Sequence, residues 1–390
     1  MSDPRFQEYV QLLFATLKDN SPRIMEESMS NYDGALHGNL GVDGSSVPGY
    51  ASVNHSDVSI CPDNATLRLF NYAGDCTGLA ISTVIDPKTK KPHAGDPRSI
   101  LINVIKKAEE MGFTADAFSE LEFFVLKDGQ PQDQAGYLEG KPKDKGGPYR
   151  KAFANLAKDM GIKVKRIHHE CAGGQNEMEF QLTDMLYNAD STLLGMWISA
   201  LVASEMDLEV EYDPKPYQNE AGNGLHMHLL LKDLDGNNVM YDANDSEGLS
   251  VTARKFIAGL LKYSPEVTAV FGRKHSTFER LVPGHEAPVY QTWDFSNRTA
   301  LVRVPYVPHD AAQKQRVEFR AGDASGSFYL LAAAIYLAGL KGIEEDLEPV
   351  ANFTENPDKM TPEELAAKGV KRLPSSLAEC SKILGTSPFH

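Results

Sequence analysis

At 390 residues the chain exceeds one ordinary compact domain and falls short of three, so a large unit with a smaller companion is expected. With 42% hydrophobic and 24% charged residues, and with 31 Gly and 22 Pro spread along its length, the composition excludes disordered and fibrous classes. Thirty-nine Lys and Arg against 54 Asp and Glu give a net charge of −15, which repels phosphate backbones and anionic lipid heads and argues against nucleic acid and membrane surfaces as partners.

The opening MSDPRFQEYV carries Asp, Arg and Glu where a secretory leader needs an apolar stretch, so no export is expected. Four separated cysteines, Cys61, Cys76, Cys171 and Cys380, without a CxxC pair predict reduced thiols in a cytoplasmic protein. Short apolar runs at Tyr9 to Phe14 and Asp57 to Cys61, set among Gly, Asn, Asp and Pro, predict strands and a small β-rich domain over residues 1–95. At Asp96-Pro97 the pattern changes. Asp caps, Pro suits the first helical turn, and Ile100, Val104, Ile105, Ala108 and Met111 follow at helical spacing until Gly112. Residues 96–390 then read as a larger mixed domain, with helices predicted over 149–161, 190–208, 251–263 and 327–343. The apolar run from Leu330 to Leu340 is far short of the roughly twenty residues that cross a bilayer and predicts a buried helix. The acidic stretch 344–364 predicts a solvated surface segment.

Four segments carry chemistry. In Ser119-Glu120-Leu121-Glu122 two carboxylates share one strand face, a costly pairing unless a cation sits between them or the strand end emerges into water. In His168-His169-Glu170-Cys171-Ala172-Gly173-Gly174-Gln175-Asn176-Glu177 a Gly-Gly turn can bring Glu170 and Glu177 to one point, as a hard divalent cation requires, although a polar loop reads the same way. Gly222-Asn223-Gly224 precedes His226 and His228, which share a strand face while Leu225, Met227 and Leu229 take the other; a hydrogen-bonded core pair and a ligand pair both fit. Arg316, Glu318 and Arg320 alternate with Val317 and Phe319, as in a salt-bridge ladder. Yet five arginines (280, 298, 303, 316 and 320) fall between residues 280 and 320 of an acidic chain, and guanidinium groups match carboxylates and phosphates. Clustered acids for metal and clustered arginines for anions are the equipment of phosphoryl transfer; the oxygen-rich set favours Mg²⁺ or Mn²⁺ over zinc. No P-loop, kinase signature or GxGxxG fingerprint is present.

The segments SELEFFVL, HHECAGGQNEMEF, GNGLHMHL, ERLVPGHEAP, NRTALVRVP and RVEFR, preceded by GVDGSSVPGY and YVQLLFATLKD, resemble the glutamine synthetase family in order and approximate spacing over residues 9 to 343. The resemblance implies an α+β fold: a small N-terminal β-grasp domain, then a large catalytic domain with a curved antiparallel sheet and flanking helices. It implies one metal between Glu122, Glu170 and Glu177 and a second between Glu120, His226 and Glu318. Arg280, Arg320 and the Gly222 backbone match glutamate-binding positions; Arg298, Arg303 and Arg316 match positions on the ATP phosphates or the transferring phosphoryl group, and His228 lies on the nucleotide side. Glu286 matches the flap glutamate and Asp43 an aspartate that a neighbouring subunit adds to the ammonium pocket. The implied reaction joins ammonia to the γ-carboxylate of L-glutamate through a γ-glutamyl phosphate, with ATP as co-substrate, two Mg²⁺ or Mn²⁺ ions per site, and a homo-oligomer, two stacked hexamers making a dodecamer, with sites between subunits.

Three departures from the family pattern bear on this. Ala221 stands where ordinary members carry an asparagine that contacts glutamate, and AGNG-type sequences also occur in relatives that join glutamate to alkylamines or polyamines. No tyrosine follows Tyr336, so control by adenylylation is not expected. The sequence ends at His390, earlier than typical members, so a C-terminal helical segment that supports assembly is expected to be shortened or absent. A catalytically silent structural or regulatory member would show eroded ligand positions, and all six are intact.

Overall fold

A computed structural model describes residues 9–16, 20–72, 75–284 and 287–386. The N-terminal runs form β1 (Tyr9–Phe14), β2 (Arg23–Ser28), β3 (Leu40–Asp43), β4 (Asp57–Pro62), β5 (Arg68–Tyr72) and β6 (Asp75–Ile85). Their sheet has the order β2-β1-β6-β4-β3, with β5 also on β6, and β1 runs parallel to β6. Period-two alternation sends Val10, Leu12 and Phe14 to one face, with Ile60, Ala80 and Tyr32 of the short helix α1 (Tyr32–Leu36). Leu13, Leu79 and Ile81 face the other way and join the core of the rest of the chain. This is the small β-grasp sheet that the resemblance implies.

The second sheet is built on β7 (Phe113–Lys127). Around it lie β8 (Gln130–Pro131), β9 (Val164–His169), β10 (Gln175–Phe180), β11 (Thr183–Asp184), β12 (Glu209–Glu211), β13 (Leu225–Asp233), β14 (Trp293–Phe295), β15 (Val302–Val304) and β16 (Val317–Phe319). The main order is β14-β15-β16-β13-β7-β10-β9, while β8, β11 and β12 also pair with β7. Among the described strands every pair in it is antiparallel except β14 with β15. The sheet curls into a half-barrel. Leu121, Phe123 and Val125 of β7 and Leu225, Met227 and Leu229 of β13 are fully buried in the main core, so the opposite, polar face of the same strands is left to carry the site.

Helices α2 (Pro97–Glu110), α3 (Gly147–Asp159), α4 (Met185–Glu205), α5 (Val251–Lys262), α6 (Ser264–Phe271), α7 (His275–Arg280), α8 (Phe328–Glu344), α9 (Pro362–Ala367) and α10 (Leu377–Leu384) complete the described chain. Asp96 caps α2 as expected, its carboxylate accepting from the Ser99 backbone N–H at 2.9 Å. α4 begins five residues before the predicted 190, because the Asp184 carboxylate accepts from the Tyr187 N–H and starts the helix there. α8 holds the Leu330 to Leu340 run and packs against α2 and α5. The acidic stretch after it is not merely solvated: the Trp293 indole donates to the Val350 carbonyl at 2.8 Å and the Phe353 N–H to the Trp293 carbonyl at 2.8 Å, which straps the segment across β14. Buried Arg98 of α2 donates to Asp190 of α4 through Nε and one terminal nitrogen, and to Asp63 beside β4, each at 2.9 Å; Tyr329 of α8 also donates to Asp190. That single guanidinium joins the small sheet to two helices of the larger part.

Candidate active site

The Glu120-Leu121-Glu122 segment lies in the middle of the fifteen-residue β7, not at an emerging strand end. Antiparallel register then decides its neighbours. Glu120 stands opposite His226 of β13 and Glu179 of β10, and Glu122 opposite Glu177, which is opposite His168 of β9. His228 stands opposite Glu318, and Glu318 opposite Arg303. Residues separated by up to two hundred positions therefore form one polar patch on the curled sheet. The Gly173-Gly174 turn, with Gly174 at φ +69°, returns the chain so that Glu170 comes alongside.

These groups line one cavity of about 540 Å³. Glu120, Glu122, Glu170, Glu177, His226 and His228 are on its wall, and so are Gly222, Arg280, Arg298, Arg303, Arg316 and Arg320. Glu318 lies beneath, 0% exposed, its carboxylate accepting from Arg320 at 2.5 Å and from Arg303. Gly222 lets the backbone come close: a Cβ there would press into the Pro214 carbonyl and sit 2.8 Å from Arg280 Cγ. Its own carbonyl accepts from Gln175 at 3.1 Å. One expected site residue lies apart from this wall. Asp43 ends β3 and faces a separate groove of roughly 580 Å³, its carboxylate accepting from the Ser45 N–H and from the Ser45 and Ser46 hydroxyls. Glu286 is outside the described residues.

The electrostatics divide the wall in two. Burial works to raise Glu120, but His228 at 2.8 Å and His226 at 3.3 Å hold its carboxyl well below the usual range. Glu318, against the same burial, is held low by His228 and Arg320. On the other side burial and mutual repulsion prevail. Desolvation and then Glu122 push Glu170 up, and Glu177 is pushed up to about 7 by desolvation, despite a hydrogen bond from His168, with Glu120, Glu122 and Glu170 adding to the rise. A divalent cation among Glu122, Glu170 and Glu177 would offset that repulsion, and a carboxylate-rich donor set of this kind suits a hard ion. Glu120, His226 and Glu318 bring ligand atoms within 4.8 Å of one another, and so do His168, Glu177 and Glu179. At the far end, Arg280 Nε and Arg303 Nε are buried with no hydrogen-bond partner among the described residues. The same wall includes Lys165, Arg166, His168, Glu179 and Tyr137, which sequence reasoning did not single out. Glu179 had a signal, since it continues the alternation of Glu177; Lys165 and Arg166 had none, because only the β9–β10 pairing brings them in.

A curled antiparallel sheet bearing a carboxylate cluster beside an arginine cluster defines a protein equipped to hold cations and anions together. The family model described as "Glutamine synthetase, catalytic domain" matches residues 94–389. Curated relatives include the glutamine synthetase of Halobacterium salinarum, 35% identical over 356 residues (89% of this chain, 78% of the relative), and that of Thermotoga maritima, 36% identical over 346 residues (86% and 78%). Among solved structures, the cryoEM Plasmodium falciparum glutamine synthetase superposes with a TM-score of 0.83 at 24% identity over 90% of this chain and 75% of that one. A GmaS/ADP complex superposes with a TM-score of 0.86 at 23% identity over 100% and 91%. The chain belongs to the glutamine synthetase family and is a ligase. No helix among the described residues is long and apolar enough to cross a membrane.

Proposed function

We propose that the chain ligates ammonia to the γ-carboxylate of L-glutamate at the expense of ATP, by way of γ-glutamyl phosphate, giving L-glutamine, ADP and phosphate. The observation that carries this reading is the convergence, in one cavity, of the acidic and histidine wall with the arginine wall. Arg280 and Arg320 bind the carboxylates of glutamate beside the Gly222 backbone. Arg298, Arg303 and Arg316 take the phosphates and stabilise the transferring phosphoryl group, and His228 lies on that side. Glu122, Glu170 and Glu177 would hold one Mg²⁺ or Mn²⁺ and Glu120, His226 and Glu318 another, supplying charge neutralisation between an anionic nucleophile and the triphosphate. Asp43, whose carboxyl is held low by hydrogen bonds from Ser45 and Ser46, stays ionised to attract ammonium; its place in a separate groove supports its acting on a neighbouring subunit's site in a homo-oligomer, with Glu286 accepting the proton and closing over the intermediate.

A second reading rests on Ala221, which lines the cavity with a methyl group where ordinary members carry an asparagine: transfer of the glutamyl group to an alkylamine or polyamine. Glutamine and phosphate formation from glutamate, ATP and Mg²⁺ or Mn²⁺, measured with ammonium and with a panel of amines, separates the two. Turnover with ammonium at least equal to that with any amine supports the first reading; turnover only with amines replaces it by the second; no phosphate release with either overturns both.

A further inference from the structure

His228 is 1% exposed and both of its ring nitrogens are engaged. Arg316 donates its Nε–H to His228 Nδ1 at 3.2 Å, and an arginine Nε has no lone pair to offer in return, so Nδ1 is the unprotonated nitrogen. The ring proton is on Nε2, which lies 2.8 Å from Glu120 Oε1, an atom that only accepts. The ring plane is fixed as well. Phe118, 3% exposed, stands directly opposite His228 across the β7–β13 ladder, and the rings stack at 4.0 Å between centroids and 8° between planes. The Lys165 ammonium lies 4.6 Å and the Arg316 guanidinium 5.4 Å from the Phe118 centroid, so two cations lie within reach of the phenyl ring.

We propose that Phe118 and His228 are positioning residues for the second metal site: Arg316 sets the tautomer of His228, Phe118 sets its plane, and the Nε2–H it donates fixes the orientation of the Glu120 carboxylate. The inference rests on reading Glu120 as a metal ligand. It separates His228 from a simple nucleotide contact, because its side chain acts on Glu120 before any nucleotide arrives. Outer hydrogen bonds to ligating groups commonly affect metal affinity by about 10–100-fold.

The test is Mn²⁺ binding to the whole protein without nucleotide, followed by electron paramagnetic resonance, with steady-state KM and kcat measured beside it. His228→Phe keeps the stack and removes the donor, and is expected to weaken the affected Mn²⁺ site roughly tenfold or more. Phe118→Leu keeps the hydrogen bonds and removes the aromatic face, weakening the site severalfold, and Phe118→Tyr restores it. Should His228→Phe fail to fold, His228→Gln, whose amide reaches the Nε2 position, is expected to bind close to wild type, and His228→Asn, which falls short, to lose affinity. His228→Phe or His228→Asn that binds Mn²⁺ as wild type and only raises KM for ATP, while Glu120→Gln weakens Mn²⁺ binding, overturns the inference. Glu120→Gln that leaves Mn²⁺ binding unchanged overturns the reading of the ligand set itself.

Discussion

The Glu177→Gln substitution isolates the electrostatic cost of the carboxylate cluster. Glu177 is pushed from an ordinary 4.5 up to about 7, chiefly by burial and further by Glu120, Glu122 and Glu170. A group raised in the folded state makes the metal-free protein most stable while it is protonated in both states, below 4.5. That stability falls as pH climbs from 4.5 to 7 and levels off above. At about 1.4 kcal/mol per pH unit the full loss is roughly 3 kcal/mol, with under about 1 kcal/mol already felt at pH 5. Gln keeps an oxygen for the His168 hydrogen bond and cannot ionise, so it escapes the loss. Urea unfolding with chelator present, at fixed protein concentration, is therefore expected to show Glu177→Gln more stable than wild type by roughly 3 kcal/mol at pH 8 and by about 1 kcal/mol or less at pH 5. Added Mn²⁺ should reverse the order at pH 8, because it stabilises only the chain that binds it well. Equal stability of the two proteins at pH 8 without metal, or an equal gap at pH 5 and pH 8, would refute the reasoning.

Glu318→Ala leaves Arg303 and Arg320 without their shared buried carboxylate; phosphate release should be lost and unfolding free energy should drop by about 3–5 kcal/mol. Gly222→Ala presses a methyl group against the Pro214 carbonyl and Arg280 Cγ, so kcat/KM for glutamate should fall at least tenfold, consistent with an overpacking cost of about 1–3 kcal/mol, while the circular dichroism spectrum stays native. Arg98→Met strands Asp190 and Asp63 and should lower the unfolding free energy by about 3–5 kcal/mol, a loss that denaturant titration would read directly.

The local elements were largely legible. Asp96-Pro97 announced α2 because capping and the fixed proline φ act within one turn, and the strand periodicity of LHMHLLL set Leu225, Met227 and Leu229 apart from the histidine pair. The early start of α4 was missed because the Asp184 cap lies ahead of any apolar repeat, and α7, six residues long, is too short to show a period. Glu120 and Glu122 could be paired by alternation alone, but their place in the middle of β7 could not. The strand begins at Phe113, with the mixed run Thr114-Ala115-Asp116 that carries no strong strand signal. Lys165, Arg166 and Phe118 were invisible as site residues, since nothing near them in the chain marks them.

What the sequence by itself determined is chemistry and its parity: which residues can ligate or bind anions, and which share a strand face, because side-chain direction alternates whatever the partner strand. What only the tertiary structure decided is adjacency. Register across β9, β10, β7, β13 and β16 sets Glu177 against Glu122, His226 against Glu120 and Glu318 against His228, and a slip of one residue in any pairing would turn a polar residue of the cavity wall into the core. The repulsion that raises Glu177 and the contact between His228 and Glu120 both arise from groups brought together by that register, so neither could be read from the order of residues along the chain.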